Sequence, residues 1–257
     1  MTEELIILTL TALSIGFFHT LLGPDHYIPF VAMSKAGNWS VIKTSWITLL
    51  CGLGHVGSSV LLGLAGIGLG IAVSHLEFIE SVRGNLAAWF LIAFGFTYMV
   101  WGFHRAYRNK THSHLHMHSN GANHIHQHNH HVEHMHVHQD LVSPSITVPV
   151  TVASPGRLEK KDTVNLTPWI LFTIFVFGPC EPLIPILMYP ASFQSVSSIL
   201  WIVLVFSSIT LLTMLTTVLL LRYGISLVAV SSLENYTHAL AGAAVLFCGV
   251  AIQFLGL

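Results

Sequence analysis

The stretch Phe18-His19-Thr20-Leu21-Leu22-Gly23-Pro24-Asp25-His26-Tyr27-Ile28-Pro29 places two imidazoles and a carboxylate at the end of a strongly apolar run. Imidazole is a ligand for Zn, Ni, Cu and Co, and not for Mg or Ca. An ionisable side chain at the centre of a bilayer helix costs roughly 2.5–3.5 kcal/mol, so such groups face a cavity, a partner or an ion path. Pro24 has no N–H to give to the preceding turn. A helix broken in this way is tolerated at membrane depth where the freed groups line a cavity or find protein partners. The stretch therefore reads as half of a metal-ion site. His19 and His26 share a face if the helix continues between them. Asp25 either binds the ion directly or accepts from an imidazole and fixes its tautomer.

Other residues could complete such a site. His55, in Gly54-His55-Val56-Gly57-Ser58-Ser59, falls near the middle of the second apolar run. Cys180 and Glu181, in Phe177-Gly178-Pro179-Cys180-Glu181-Pro182-Leu183-Ile184-Pro185, fall at a similar depth in the fourth. A membrane glutamate is hard to explain structurally; a cysteine alone is more often a small apolar residue than a ligand. His238 opens the last run and is a possible further ligand, whereas His75 and His104 lie at run ends and read as interfacial. Twelve of the eighteen histidines crowd one polar segment: His112, His114, His116, His118, His124, His126, His128, His130, His131, His134, His136 and His138. Many alternate, and alternate residues of an extended chain share a face, so neighbouring imidazoles can close on one metal.

The elements that must position these groups are membrane helices. Only 8% of residues are charged, 53% are hydrophobic and the mean hydropathy is +0.70; a soluble domain carries about 25% charged residues. Six runs approach the ~20 residues a spanning helix needs: Leu5–Leu22, with an extension to Val31 left open, then Ser45–Val73, Leu86–Phe103, Pro168–Tyr189, Val196–Leu221 and Ala239–Leu257. Glycines in the second, among them Gly52, Gly54, Gly57, Gly63, Gly66 and Gly70, permit close helix approach. Trp39, Trp46, Trp101 and Trp169 suit an aromatic belt. The acidic start, Met1-Thr2-Glu3-Glu4, lacks the basic region of a signal peptide, so the first run is expected to be retained. No phosphate-binding Gly-x-x-x-x-Gly-Lys stretch is present, which excludes a nucleotide motor in this chain. The three cysteines, Cys51, Cys180 and Cys248, all fall in apolar runs and form no disulfide framework. Nothing points to an enzyme, a resident cofactor or a nucleic-acid partner; the expected partners are the bilayer and metal ions.

Basic residues set the orientation. With six spans, Lys35, Lys43, Arg105, Arg108, Lys110, Arg157, Lys160, Lys161 and Arg222 fall on one side and Arg83 alone on the other. Both termini are therefore expected outside a cell (inner) membrane, with the histidine-rich loop cytoplasmic. Residues 1–107 and 167–257 would be three-helix blocks, with 108–166 the loop and a proline-bearing linker. Each block opens on a Gly-Pro followed by two chemically active residues and an Ile-Pro. An odd number of spans per block inverts the second relative to the first, and inverted repeats with interrupted helices point to a midplane transport site.

His19-Thr-Leu-Leu-Gly-Pro-Asp25-His26 resembles the His-x4-Asp-His signature of nickel/cobalt transporters. Its form with one extra intervening residue is similar to the NicO-type branch and its UreH-like transmembrane domains. Gly54-His55 resembles that group's second histidine element. The resemblance covers essentially all six runs. It implies that His19, Asp25, His26 and His55 contact the metal, and that Ni(II) or Co(II) is the cargo of an efflux protein. The Gly-Pro-Cys-Glu-Pro element is also similar to a wider group that includes sulfite exporters and DsbD-type electron carriers. Alternatives are Ni/Co import, zinc transport, transmembrane thiol–disulfide electron transfer, or a membrane-tethered metal store.

Overall fold

The computed structural model describes residues 3–108, 112–117, 123–128, 166–180, 182–191, 195–227 and 235–256. Its contacts divide the chain into a helical unit, Met1–Tyr107 with Leu166–Leu257, and a separate segment, Arg108–Asn165.

In the helical unit α1 spans Glu3–Leu22, with Glu3 and Glu4 in its first turn, where acidic side chains complement the helix dipole. It stops at Gly23-Pro24. A single 3-10 turn, Pro24–His26, follows. The chain resumes as α2, Ile28–Ala36, with Pro29 in its first turn, a position whose missing N–H has no helical partner to lose. Ser40 Oγ accepts the Lys43 N–H to cap α3, Val41–Leu69, which ends on Gly70 at φ 65°. Then come α4, Val73–Arg108, α5, Thr167–Phe177, α6, Leu183–Ala191, α7, Val196–Leu227, and α8, Thr237–Leu255.

Five of these helices, α1, α3, α4, α7 and α8, are long and apolar enough to cross a membrane. Their outward faces carry large apolar side chains, such as Ile42, Leu61 and Phe247, which suit lipid. The unit is that of a multi-pass helical membrane protein. Two boundaries differ from the sequence expectation. The fourth run is not one span but two half-helices, α5 and α6, separated at Gly178-Pro179-Cys180. The third helix begins at Val73 rather than Leu86, because Glu80 and Arg83, which lower local hydropathy, pair inside the protein.

Two apolar clusters hold the bundle. One joins Phe30, Met33 and Trp39 from α2 and the turn after it to Ile47, Leu171, Phe175, Met214 and Val245. The other joins Ala12, Val56, Cys180, Leu183, Ile202 and Phe206. Trp46, Trp101 and Trp169 are exposed as a belt would require, but Trp39 is 3% exposed and belongs to the core. Among the α3 glycines, a Cβ on Gly52, Gly54 or Gly66 would collide with a neighbouring helix, whereas Gly57 and Gly70 face open space.

In the separate segment two strands, β1, His112–Met117, and β2, Asn123–His128, pair antiparallel. The register sets His112 opposite His128, His114 opposite His126, and His116 opposite His124.

Candidate metal centre

The break after α1 builds the centre. Gly23 N–H still donates to His19 O at 3.0 Å, closing the last turn, and His26 N–H donates back to Gly23 O at 3.1 Å. This tight return carries the His26 ring against the end of α1. A Cβ on residue 23 would lie 2.5 Å from His26 Nδ1 and 2.9 Å from Asp25 Oδ1, so glycine leaves the room these two side chains occupy. In an unbroken helix, residues seven apart are separated by about 10 Å along the axis. Here the His19 and His26 ring centroids are 4.9 Å apart, edge to face.

His26 Nδ1 lies 3.1 Å from Asp25 Oδ1 and 3.2 Å from Gly23 O. Both neighbours are acceptors, so Nδ1 carries the proton and Nε2 presents its lone pair. A carboxylate or carbonyl behind an imidazole is the usual way a protein orients a metal-binding histidine. Asp25 occupies that acceptor position behind His26 Nδ1.

His55, in the middle of α3, brings the third ring, 5.0 Å from that of His26. His26 and His55 are buried and His19 half-buried. One nitrogen from each of the three residues lies within 4.8 Å of the others. His19 Nε2, His26 Nε2 and both His55 ring nitrogens are buried without a hydrogen-bond partner. Leaving a buried polar atom unpaired costs about 1–3 kcal/mol, so an orphaned set converging on one point signals a ligand. Metal–imidazole bonds near 2.1 Å hold tetrahedral nitrogens about 3.4 Å apart. The trio would share an ion after closing by about an ångström.

The three rings line a cavity of about 560 Å³ that extends past Asn85 to Gln253 and Gly256, the C-terminal end of α8. Gln253 donates to Asn85 Oδ1 at 3.2 Å. The rings also meet aromatic side chains, one of which, Phe175, lines the same cavity. Phe175 lies 6.2 Å from His55 and 4.6 Å from Phe30, centroid to centroid.

The second break is managed differently. Arg83 of α4 reaches between helices, donating to Glu80 Oε1 at 2.6 Å, Ser58 Oγ at 2.7 Å and the Val176 carbonyl at 2.8 Å, with Gly178 O at 3.4 Å. It thus satisfies carbonyls that the end of α5 leaves open. Ser59 Oγ accepts the Cys180 N–H at 3.1 Å. Ser58 in turn donates to the His55 carbonyl at 2.9 Å. Sequence reasoning missed this network and read Arg83 as a loop residue. Its signal was an acid and a base three apart, Glu80 and Arg83, beside an apolar helix.

The structure therefore brings His19, Asp25, His26 and His55 together. It does not bring Cys180 to them: the thiol packs in the apolar cluster with Val56, Leu183 and Phe206. Glu181 lies outside the described residues. His238 stands elsewhere, its Nδ1 2.8 Å from the Tyr98 hydroxyl and its ring against Trp101. His75 and His104 are exposed. Six of the segment's histidines occupy β1 and β2 at the register given above; His118, His130, His131, His134, His136 and His138 lie outside the described residues.

Comparison with protein-family models, curated proteins and solved structures gives no match.

Proposed function

We propose that this chain moves a divalent transition-metal ion across a membrane through the His19–His26–His55 site. The observation that carries the reading is the convergence of orphaned imidazole nitrogens from two separate segments, at a helix break, on one cavity of a membrane protein. Three imidazoles with one nearby carboxylate select a borderline transition metal over Mg or Ca. The preference for Ni(II) or Co(II) over Zn(II) rests on the likeness of His19–His26 and Gly54-His55 to NicO-type transporters. Protonation of histidine near neutral pH competes with metal, giving the site a route to release.

The inverted-repeat reading has support in the pairing of helices. α1 packs on α7 as α5 packs on α3, α2 touches α7 as α6 touches α3, and α3 meets α7. Exchanging the two halves preserves these pairs. A cavity that reaches the imidazoles from the C-terminal end of α8 suits one open state of an alternating-access cycle. With both termini outside, that cavity faces outward, and the histidine-rich segment meets cytoplasmic metal before export. An inside-negative potential opposes export of a cation by about 2.3 kcal/mol per charge per 100 mV, so efflux requires a coupled ion. Electron transfer between thiols is disfavoured, since Cys51 and Cys180 pack in different clusters and all three cysteines are free.

The test is metal-resolved flux. Proteoliposomes should move Ni(II) or Co(II) across the bilayer, and His26→Ala should abolish the flux. Cells making the protein should accumulate less of the metal; greater accumulation would make it an importer. Flux unaffected by His26→Ala would overturn the site.

A further inference from the structure

A second pocket, of about 260 Å³, lies between the C-terminal ends of α2 and α7, with Lys35 and Arg222 on its walls together with Asn38 and Trp39. It shares no lining residue with the imidazole cluster, and its two charged side chains, Lys35 and Arg222, are both cationic, with Ser34, Asn38 and Ser226 adding groups that donate or accept. Arg222 is fixed by a hydrogen bond from Nη1 to Thr44 Oγ1 at 3.1 Å, which leaves most of its guanidinium donors uncommitted. Among the described residues, the two ion pairs are His26 with Asp25 and Arg83 with Glu80; neither Lys35 nor Arg222 meets a carboxylate. Trp39 is 3% exposed, and its indole Nε1 is buried with no hydrogen-bond partner. The turn that folds it back is unusual. Asn38 adopts φ 48°, and Trp39 N–H donates to Ser34 O at 2.9 Å. Lys43 then sits 5.4 Å over the indole ring. A solvated basic face would explain Lys35 alone. It does not explain a concave site that also holds an anchored arginine.

Two cations and an amide, with no carboxylate among the lining residues, call for an anion. Val31 and Ile225 supply apolar wall beside them. Basic pockets between membrane helices near the bilayer surface take anionic phosphate headgroups, and a guanidinium beside an ammonium matches phosphate oxygens. We propose that this pocket binds a phosphate group, presented by an anionic phospholipid or as free phosphate. The ligand would tie α7 to α2, the half-helix that continues directly from the Asp25–His26 turn. The proposal does not depend on the metal reading.

The test uses the full chain in nanodiscs. In phosphatidylcholine discs doped with phosphatidylglycerol, native mass spectrometry should find one tightly retained phosphatidylglycerol per chain, with a raised Tm relative to phosphatidylcholine alone. In undoped discs, a saturable Tm rise with inorganic phosphate instead would identify free phosphate as the ligand. Absence of both responses would overturn the proposal. The pair Lys35→Gln with Arg222→Gln should weaken retention at least tenfold, and Arg222→Lys should recover part of it. If the double variant fails to fold, Lys35→Gln alone, at an exposed position, supplies the reading. Undiminished retention in folded charge-removed protein would overturn the assignment.

Discussion

The two helix breaks carry the same sequence mark, Gly-Pro, and treat it in opposite ways. At Gly23-Pro24 the chain repairs itself locally: Gly23 O accepts from His26 N–H and its ring, and the turn folds the His26 ring onto His19. What remains unpaired there is a set of buried ring nitrogens whose residues line a cavity. At Gly178-Pro179 the repair is imported: Arg83 fills the carbonyls of Val176 and Gly178, and Ser59 takes the Cys180 N–H. There the thiol of Cys180 is packed among apolar side chains. One break stores unmet binding capacity; the other spends its polar groups on holding α3, α4 and α5 together. The first should therefore govern binding with little effect on stability, and the second the reverse.

The sharpest way to break that contrast is Arg83→Ala. Removing one partner of a buried ion pair costs about 3–5 kcal/mol, so the variant should lose most of its thermal stability in detergent. Glu80→Gln added to it should restore a part. An unchanged Tm would mean the second break does not depend on Arg83. Next in size is Asp25→Asn. Loss of the group that orients a metal-binding histidine lowers affinity about 10- to 100-fold, read by metal titration, with Tm little changed. Gly23→Ala should weaken binding as well, because the new Cβ would displace His26 Nδ1 and Asp25 Oδ1; equal affinity in this variant would show that the tight return is not needed. Smallest is Cys180→Ala. It should cost about 1 kcal/mol of stability from lost apolar packing and leave metal affinity untouched. A large drop in affinity would move Cys180 into the centre and erase the difference between the breaks.

Much of this was legible in the sequence because hydropathy reports lipid-facing helices directly. The runs at α1, α3, α7 and α8 stand out by length and apolarity. His19, Asp25, His26 and His55 stand out because ionisable groups in such runs need a reason. The break at Gly23-Pro24 was legible as well, but not its geometric consequence, which is to close the His19 and His26 rings to 4.9 Å. Hydropathy also misplaced the start of α4. Glu80 and Arg83 lower the local average, and nothing in a linear reading shows that they neutralise each other inside the protein. Cys180 was drawn into the site by its Gly-Pro neighbours. Which way a side chain points after a break depends on the packing of α6 against α3 and α7, which spacing does not encode.

The central claim is that His19, His26 and His55 share one metal ion. X-ray absorption of Ni(II)- or Co(II)-loaded protein lacking Thr111–Asp140, which removes the twelve clustered histidines, tests it directly. One ion per chain with about three imidazole nitrogens near 2.1 Å, losing an imidazole in His26→Ala, is the result expected. A spectrum without imidazole scattering, or one that His26→Ala leaves unchanged, would contradict it.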